Sequence, residues 1–253
     1  EEAPLELAAI GTIADLLPLT DLNRSIVKHG LAMLRKTKRV GLKALITEAG
    51  ITDVDTYAVS HMLAPRLNAM GRLEHALDAL RLLCTNDEEK ARLLAEKLGL
   101  TNRERQKLTE ETVIHARSLM SHISPITPNL IFLSDPSYNP GVIGLVAGRL
   151  VEEFYPPAIV LSVGDGFAKA SARSIPGFNI VEAIRSCSEL LVDVGGHPMA
   201  AGFTVETKHI KKLKKKLEKL AEKELVEEKL TRVQKIDAEL PLELATEKLW
   251  KEL

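Results

Sequence analysis

The chain changes character once, and the change falls within one long helical stretch. Thr85 and Glu88 have the spacing of a capping box, in which a hydroxyl and a carboxylate each satisfy a free backbone N–H. A helix starting there runs to Met120. Its middle, residues 101–107, reads TNRERQK and presents no apolar face. Such a helix is expected to bridge two packed bodies through solvent, because it has nothing to bury. Residues before this helix are patterned as helices, and residues after it alternate short β-rich runs with helices. The boundaries fall at residues 1–84, 85–120 and from 121 onward.

In the first part, residues 5–19 are almost wholly apolar, with Leu7, Ile10, Ala14 and Leu17 at helical spacing. This predicts a buried helix ending near Pro18. Asp21 is placed to cap a helix running to about Lys36, and Gly50 to end a short helix over 42–49. Helices over 59–67 and 76–83 are separated by a turn at 68–73. Beyond residue 121, runs 130–133 and 158–163 read as strands. The second turns through Gly164-Asp165-Gly166 into 167–172, a hairpin signal. Residues 141–154 and 179–186 read as helices, and 200–205 as a strand. Residues 207–230 form a helix with Leu213, Leu217 and Leu220 inward and its lysines solvated. The fold class is α/β.

Composition removes several alternatives. A formal net charge of −1 over 253 residues excludes a polycation, so nucleic-acid contact has to come from a local patch. Cys84 and Cys187 are isolated, which argues against a structural zinc site or a disulfide framework and fits a reducing cytoplasm. No apolar run approaches the roughly 18 residues of a membrane span, so no membrane partner is expected. The chain opens on Glu1 and stops at Leu253 inside a helical pattern, as expected of a piece of something longer.

Four stretches carry side chains suited to phosphate or metal. Gly195-Gly196-His197 opens GGHPMAAG. Two glycines let the backbone approach a ligand, consecutive N–H groups form an anion nest, and the histidine adds a donor. The other reading is a glycine-rich turn with a hydrogen-bonded histidine. Asp15 stands among Ile13, Ala14, Leu16 and Leu17 and needs a lysine, a backbone N–H or a hard divalent cation as partner. Arg66 and Arg72 stand six residues apart around a turn. They either converge on one polyanion by forked contacts or form surface salt bridges. Ser171-Ala172-Arg173-Ser174 ends the predicted hairpin as a second phosphate cradle.

GTIADLLPL, APRLNAMGR, TNRERQ, GVIGLVAGRL, SARS and GGHPMAAG occur in order along nearly the whole chain. Together they resemble the RecJ family of single-strand-specific DNA exonucleases in the DHH/DHHA1 phosphoesterase superfamily. The resemblance implies the helical C-terminal part of a DHH domain over 1–84, a connector helix over 85–120 and a mixed α/β DHHA1 domain over 121–234. Residues 235–253, with KIDAELP, resemble the entry to an OB-fold region. It further implies that Asp15 is a catalytic ligand of a two-metal Mn2+ or Mg2+ site. Arg66, Asn68, Arg72, Ser171, Arg173, Ser174, Gly195, Gly196 and His197 are implied to hold DNA phosphate.

The implied activity is metal-dependent 5′-to-3′ hydrolysis of single-stranded DNA in repair and recombination. Single-strand-binding protein and a helicase are the implied partners. Two departures stand out. The family's remaining metal-binding aspartates and its Asp-His-His triplet are absent, so their place is upstream of Glu1. Tyr138-Asn139-Pro140 replaces an aromatic–histidine pair. Two rival readings are an oligonucleotide or cyclic-dinucleotide phosphodiesterase of the same superfamily, and a non-catalytic replication or repair scaffold.

Overall fold

The computed structural model describes residues 4–123, 128–234 and 236–252. Six helices come first: α1 (Leu5–Ala14), α2 (Asp21–Leu34), α3 (Val40–Glu48), α4 (Ala64–Leu73), α5 (Leu77–Cys84) and α6 (Glu88–Ile123). They close a core of aliphatic side chains that includes Leu34, Leu42, Leu45, Leu63, Met70, Leu82 and Leu98. α1 stops at Ala14, short of Pro18, and Asp15 is exposed at its end. Pro18 biases Leu17 away from helix, and the chain leaves through Leu16 at φ 54. Leu16 is consequently 82% exposed, so the expected apolar burial of this stretch is confined to residues before Asp15.

The turn expected at 68–73 is helix. Asn68 and Gly71 carry turn propensity, but Ala69 and Met70 between them are fully buried, and packing outweighs propensity. A π-helical turn, Ala58–Leu63, leads into α4, with Pro65 in the first turn of α4 where its missing N–H costs least.

α6 has 36 residues and therefore a length of about 54 Å at helical rise. Asp87, rather than Thr85, caps it: Oδ1 accepts from the Lys90 N–H at 2.9 Å. Ala91, Ala95 and Leu98 of α6 belong to the first core, and Val113, Ala116 and Met120 to another. Its polar middle does not cross open solvent. α3 and α4 lie along the helix, and Thr101 and Asn102 are buried.

A five-stranded sheet comes next in the chain, in the order β1-β2-β3-β5-β4. β1 (Ile131–Asp135) and β2 (Ala158–Val163) are parallel and joined by α7 (Ile143–Phe154), the crossover that parallel strands require. β3 (Phe167–Arg173) pairs antiparallel with β2 through the expected hairpin. After α8 (Ile180–Arg185) come β4 (Leu191–His197) and β5 (Ala200–Glu206), antiparallel to each other, then α9 (Ile210–Glu224). β4 is an unexpected strand, and it contains Gly195-Gly196-His197. α9 is shorter than the predicted 207–230 helix, but Leu213, Leu217 and Ala221 are its buried stripe and its lysines are outside.

α8 and α9 cover one face of the sheet through Ile184, Leu213, Leu217, Ala170, Ala172 and Phe203. α7 and the end of α6 cover only part of the other, over β1 and β2. The start of α7 also lies against β3, and the remainder of that face, on β5 and β4, is open. Residues 236–246 are mostly exposed, with one 3-10 turn at Leu242–Leu244 before α10 (Glu247–Glu252). Lys235, at the start of the KIDAELP stretch, lies outside the described residues.

Candidate phosphate-binding cleft

Strand alternation builds the site. On β3, Ala168, Ala170 and Ala172 enter the core, which puts Lys169, Ser171 and Arg173 on the opposite face. The register extends this face across the sheet: Ser171 pairs with Gly202, which pairs with Gly195. One row along, Arg173 pairs with Ala200, which pairs with His197. The expected residues Ser171, Arg173, Gly195 and His197 thus share one surface. Ser174 does not: it is buried, and its hydroxyl donates to the Phe178 carbonyl at 2.7 Å. Its position one residue beyond Arg173 turns it away, so a direct phosphate contact from Ser174 is not what this geometry offers.

The cleft is walled by the start of α7 and by α4. Gly144 lies so close to β3 that a Cβ there would stand 2.9 Å from Ser171 Oγ and 3.2 Å from Arg173 Nη2. Arg72, at the end of α4, donates through Nη1 to the Gly141 carbonyl at 3.4 Å. The resulting cavity of about 360 Å³ is lined by Arg72, Gly144, Lys169, Ser171, Arg173 and Asp193, among others.

Electrostatically the cleft is poised for an anion. Arg173 donates to the Ala172 carbonyl at 2.9 Å and to Ser171 Oγ at 3.3 Å, both neutral acceptors. Among the described residues neither Arg72 nor Arg173 has a carboxylate at ion-pair distance. Burial lowers the proton affinity of both guanidiniums, and the charge of Arg72 lowers that of Arg173 further. Both still remain cationic at neutral pH. Cations held near each other without an ion-paired carboxylate gain from a shared polyanion.

Arg66 is not part of this cluster. On the continuous helix α4, six residues turn it to a different side from Arg72. Arg66 Nε donates to Glu48 Oε2 at 2.6 Å and Nη1 to the Met62 carbonyl at 2.9 Å. Of its two open readings, the structure shows the salt bridge. Asn68 is exposed on the same helix.

The glycine–histidine stretch is hairpin, not nest. Gly196 has φ 143, and a Cβ there would stand 2.4 Å from the Ala200 carbonyl oxygen and 2.6 Å from Ala201 Cα. Gly195 faces open space instead. β4 is an edge strand, so half of its N–H and C=O groups point away from β5. His197 is exposed at its end.

Asp15 is an exposed carboxylate. Among the described residues no group of three or more His, Cys, Asp or Glu side chains is arranged to hold a metal ion. The residues present do not fit a two-metal site by themselves. Gly144 and Lys169 were not anticipated from sequence. Their signals were available in the glycine pair of GVIG at a helix start and in the odd-numbered alternation Lys169, Ser171, Arg173.

Comparison with known proteins agrees with this fold. The DHHA1 domain family matches residues 127–223. The single-stranded-DNA-specific exonuclease RecJ of Bacillus subtilis is 44% identical over 237 residues, covering 92% of this chain and 30% of that protein. RecJ of Escherichia coli is 35% identical over 214 residues, covering 80% of this chain and 37% of that protein. The crystal structure of RecJ in complex with Mn2+ from Thermus thermophilus superposes with a TM-score of 0.79 at 38% identity. That match covers 87% of this chain and 32% of the other. The same protein is known in complex with Mg2+. The chain carries a DHHA1 domain and is similar to RecJ along most of its length, and it spans about a third of the RecJ proteins it matches.

Proposed function

We propose that the chain is the strand-holding part of a RecJ-like, metal-dependent 5′-to-3′ exonuclease acting on single-stranded DNA. The observation that carries this is the sheet face on which Arg173, with Arg72 opposite, has no carboxylate at ion-pair distance among the described residues. Arg72, Lys169, Arg173 and Ser171 hold a phosphate of the strand, and the β4 edge with His197 holds the neighbouring backbone. Mn2+ or Mg2+ would supply Lewis-acid activation of water and of the scissile phosphate. Asp15 is the candidate for one ligand only, so the work of this chain is binding and orientation. Accordingly the 253-residue chain with Mn2+ or Mg2+ should release no nucleotides from labelled single strands. Partners such as single-strand-binding protein and a helicase, and a place in the cytoplasm, belong to the same proposal.

A salt titration of binding tests it, using the 253-residue chain and a labelled single-stranded oligonucleotide. Arg173→Ala and Arg72→Ala should each flatten the plot of log affinity against log salt by roughly 0.7. Unchanged slopes in both variants would remove the cleft from the strand's path.

A further inference from the structure

A second cavity, of about 580 Å³, has a wall that includes Ser60, His61, Arg105, Lys107, Glu110 and Arg149. Arg105 projects from the polar middle of α6. Its Nη2 donates to Asn102 Oδ1 at 2.7 Å, a neutral acceptor that is itself buried. Its Nε is buried and has no acceptor. A buried cationic donor left open is costly, and the rest of the fold offers no reason for it. Arg149, exposed on α7, faces the same cavity, and among the described residues Glu110 pairs with neither arginine. Arg117 also lines the wall, but Glu153 already engages it at 2.7 Å.

Both cavities are bordered by α4 and α7, through Arg72 and Gly144 in the first and Pro65 and Arg149 in the second. Burial, and then the charges of Arg72 and Arg149, lower the proton affinity of Arg105, and Arg72 acts likewise on Arg173. The charge of Arg72 thus acts on both Arg105 and Arg173. Ser60 and His61 also line an apolar hollow with Leu16 and Leu17.

We propose that Arg105 and Arg149 form a second phosphate subsite, which holds the phosphate of the bound strand next to the one in the Arg72–Arg173 cleft. This rests on the strand-binding reading above. The guanidinium of Arg105 on the cavity wall is the donor group, and Asn102 fixes its plane. The connector helix is thereby a binding element as well as a spacer.

The test compares the unaltered 253-residue chain with Arg105→Met, Arg149→Gln and Arg173→Ala, using labelled single-stranded oligothymidylate across a salt series. Arg105→Met should lower affinity by about tenfold or more and flatten the salt slope by roughly 0.7. Its melting temperature should stay level or rise, because a buried unpaired cation is gone; a purely structural arginine would give the reverse pattern. If Arg105→Met does not fold, Arg149→Gln, on an exposed side chain, decides by its slope. Unchanged slopes in both overturn the subsite, while a flattened slope in Arg173→Ala leaves the main reading standing. If the unaltered chain binds no strand, both fall. If inorganic phosphate alone raises the melting temperature through Arg105 while strand binding ignores the substitution, the site takes free anions and the assignment to the strand is overturned.

Discussion

Arg66 and Glu48 form a closed pair, Nε to Oε2 at 2.6 Å, with only 14% and 12% of the two side chains exposed. Arg103 of α6 reaches the other oxygen of Glu48 at 3.0 Å. One carboxylate at the end of α3 thus ties α4 and α6 together, which gives an arginine of the APRLNAMGR stretch a structural task.

Arg66→Ala should therefore cost stability rather than strand contact. Removing a charged hydrogen bond from a largely buried carboxylate costs about 1.5–3 kcal/mol. Urea unfolding measures that loss, and the salt slope of oligonucleotide binding should stay as in the unaltered chain. A stable variant with a flattened slope would return Arg66 to the phosphate site.

Gly144→Ala separates the cleft from the fold. A methyl group there meets the ends of two side chains, Ser171 Oγ and Arg173 Nη2, rather than backbone. The helix gains up to about 1 kcal/mol from the exchange, so thermal stability should hold or improve. Arg173 is displaced, and strand affinity should drop severalfold in the same preparation. Wild-type affinity would show that Arg173 need not lie against α7.

The two glycines of β4 should behave differently. Gly196→Ala forces a Cβ onto the backbone of Ala200 and Ala201 at a positive φ, costing about 1–3 kcal/mol. Gly195→Ala adds a methyl group in open space and should stay within about 0.5 kcal/mol. Chemical denaturation of the two variants side by side measures the contrast; equal losses would contradict this hairpin geometry.

Asp78 supplies a pH-dependent link between α5 and α6. Its carboxylate accepts from Lys97 at 2.7 Å and Arg81 at 2.8 Å. The hydrogen bonds from Lys97 and then Arg81 hold its proton affinity below the ordinary value. With the folded value lowered, the contribution is present above the unfolded value of about 3.9 and is lost as pH falls through the folded one. The melting temperature of Asp78→Asn should lie below wild type at pH 7 and converge with it towards pH 3. A difference that persists in acid would show that the charge of Asp78 is not what links the helices.

Much of the architecture was legible because it rests on periodicity. The pattern placed β2, β3 and α7 within about a residue or two, since Val160, Ala170 and Val146 repeat at the spacing of their elements. β4 was not legible: it reaches the glycines through Val192 and Asp193 and has no buried alternation, being an edge strand with little to bury. Asp15 misled for a related reason. Apolar neighbours suggested burial, but the helix ends beside it and three of the nearby leucines, Leu16, Leu17 and Leu19, are exposed. Of the cleft, the residues on β3 could be named but not their partners. That Arg72 joins Arg173 while Arg66 does not depends on α4 being continuous, which Asn68 and Gly71 obscured. The open Nε of Arg105 arises from packing around α6 and leaves no trace in TNRERQK.

α6 joins two hydrophobic cores in one unbroken helix, so it fixes a phase as well as a length. Inserting a single residue between Asn102 and Val113 would leave each core its own side chains. It would also rotate one half against the other by about 100° and lengthen the span by about 1.5 Å. Arg72 and Arg173 sit on opposite sides of that joint, so their alignment is held in register like two marks on one shaft. A one-residue deletion or insertion in the middle of α6 should therefore misalign the cleft, even where no residue of the cleft is touched.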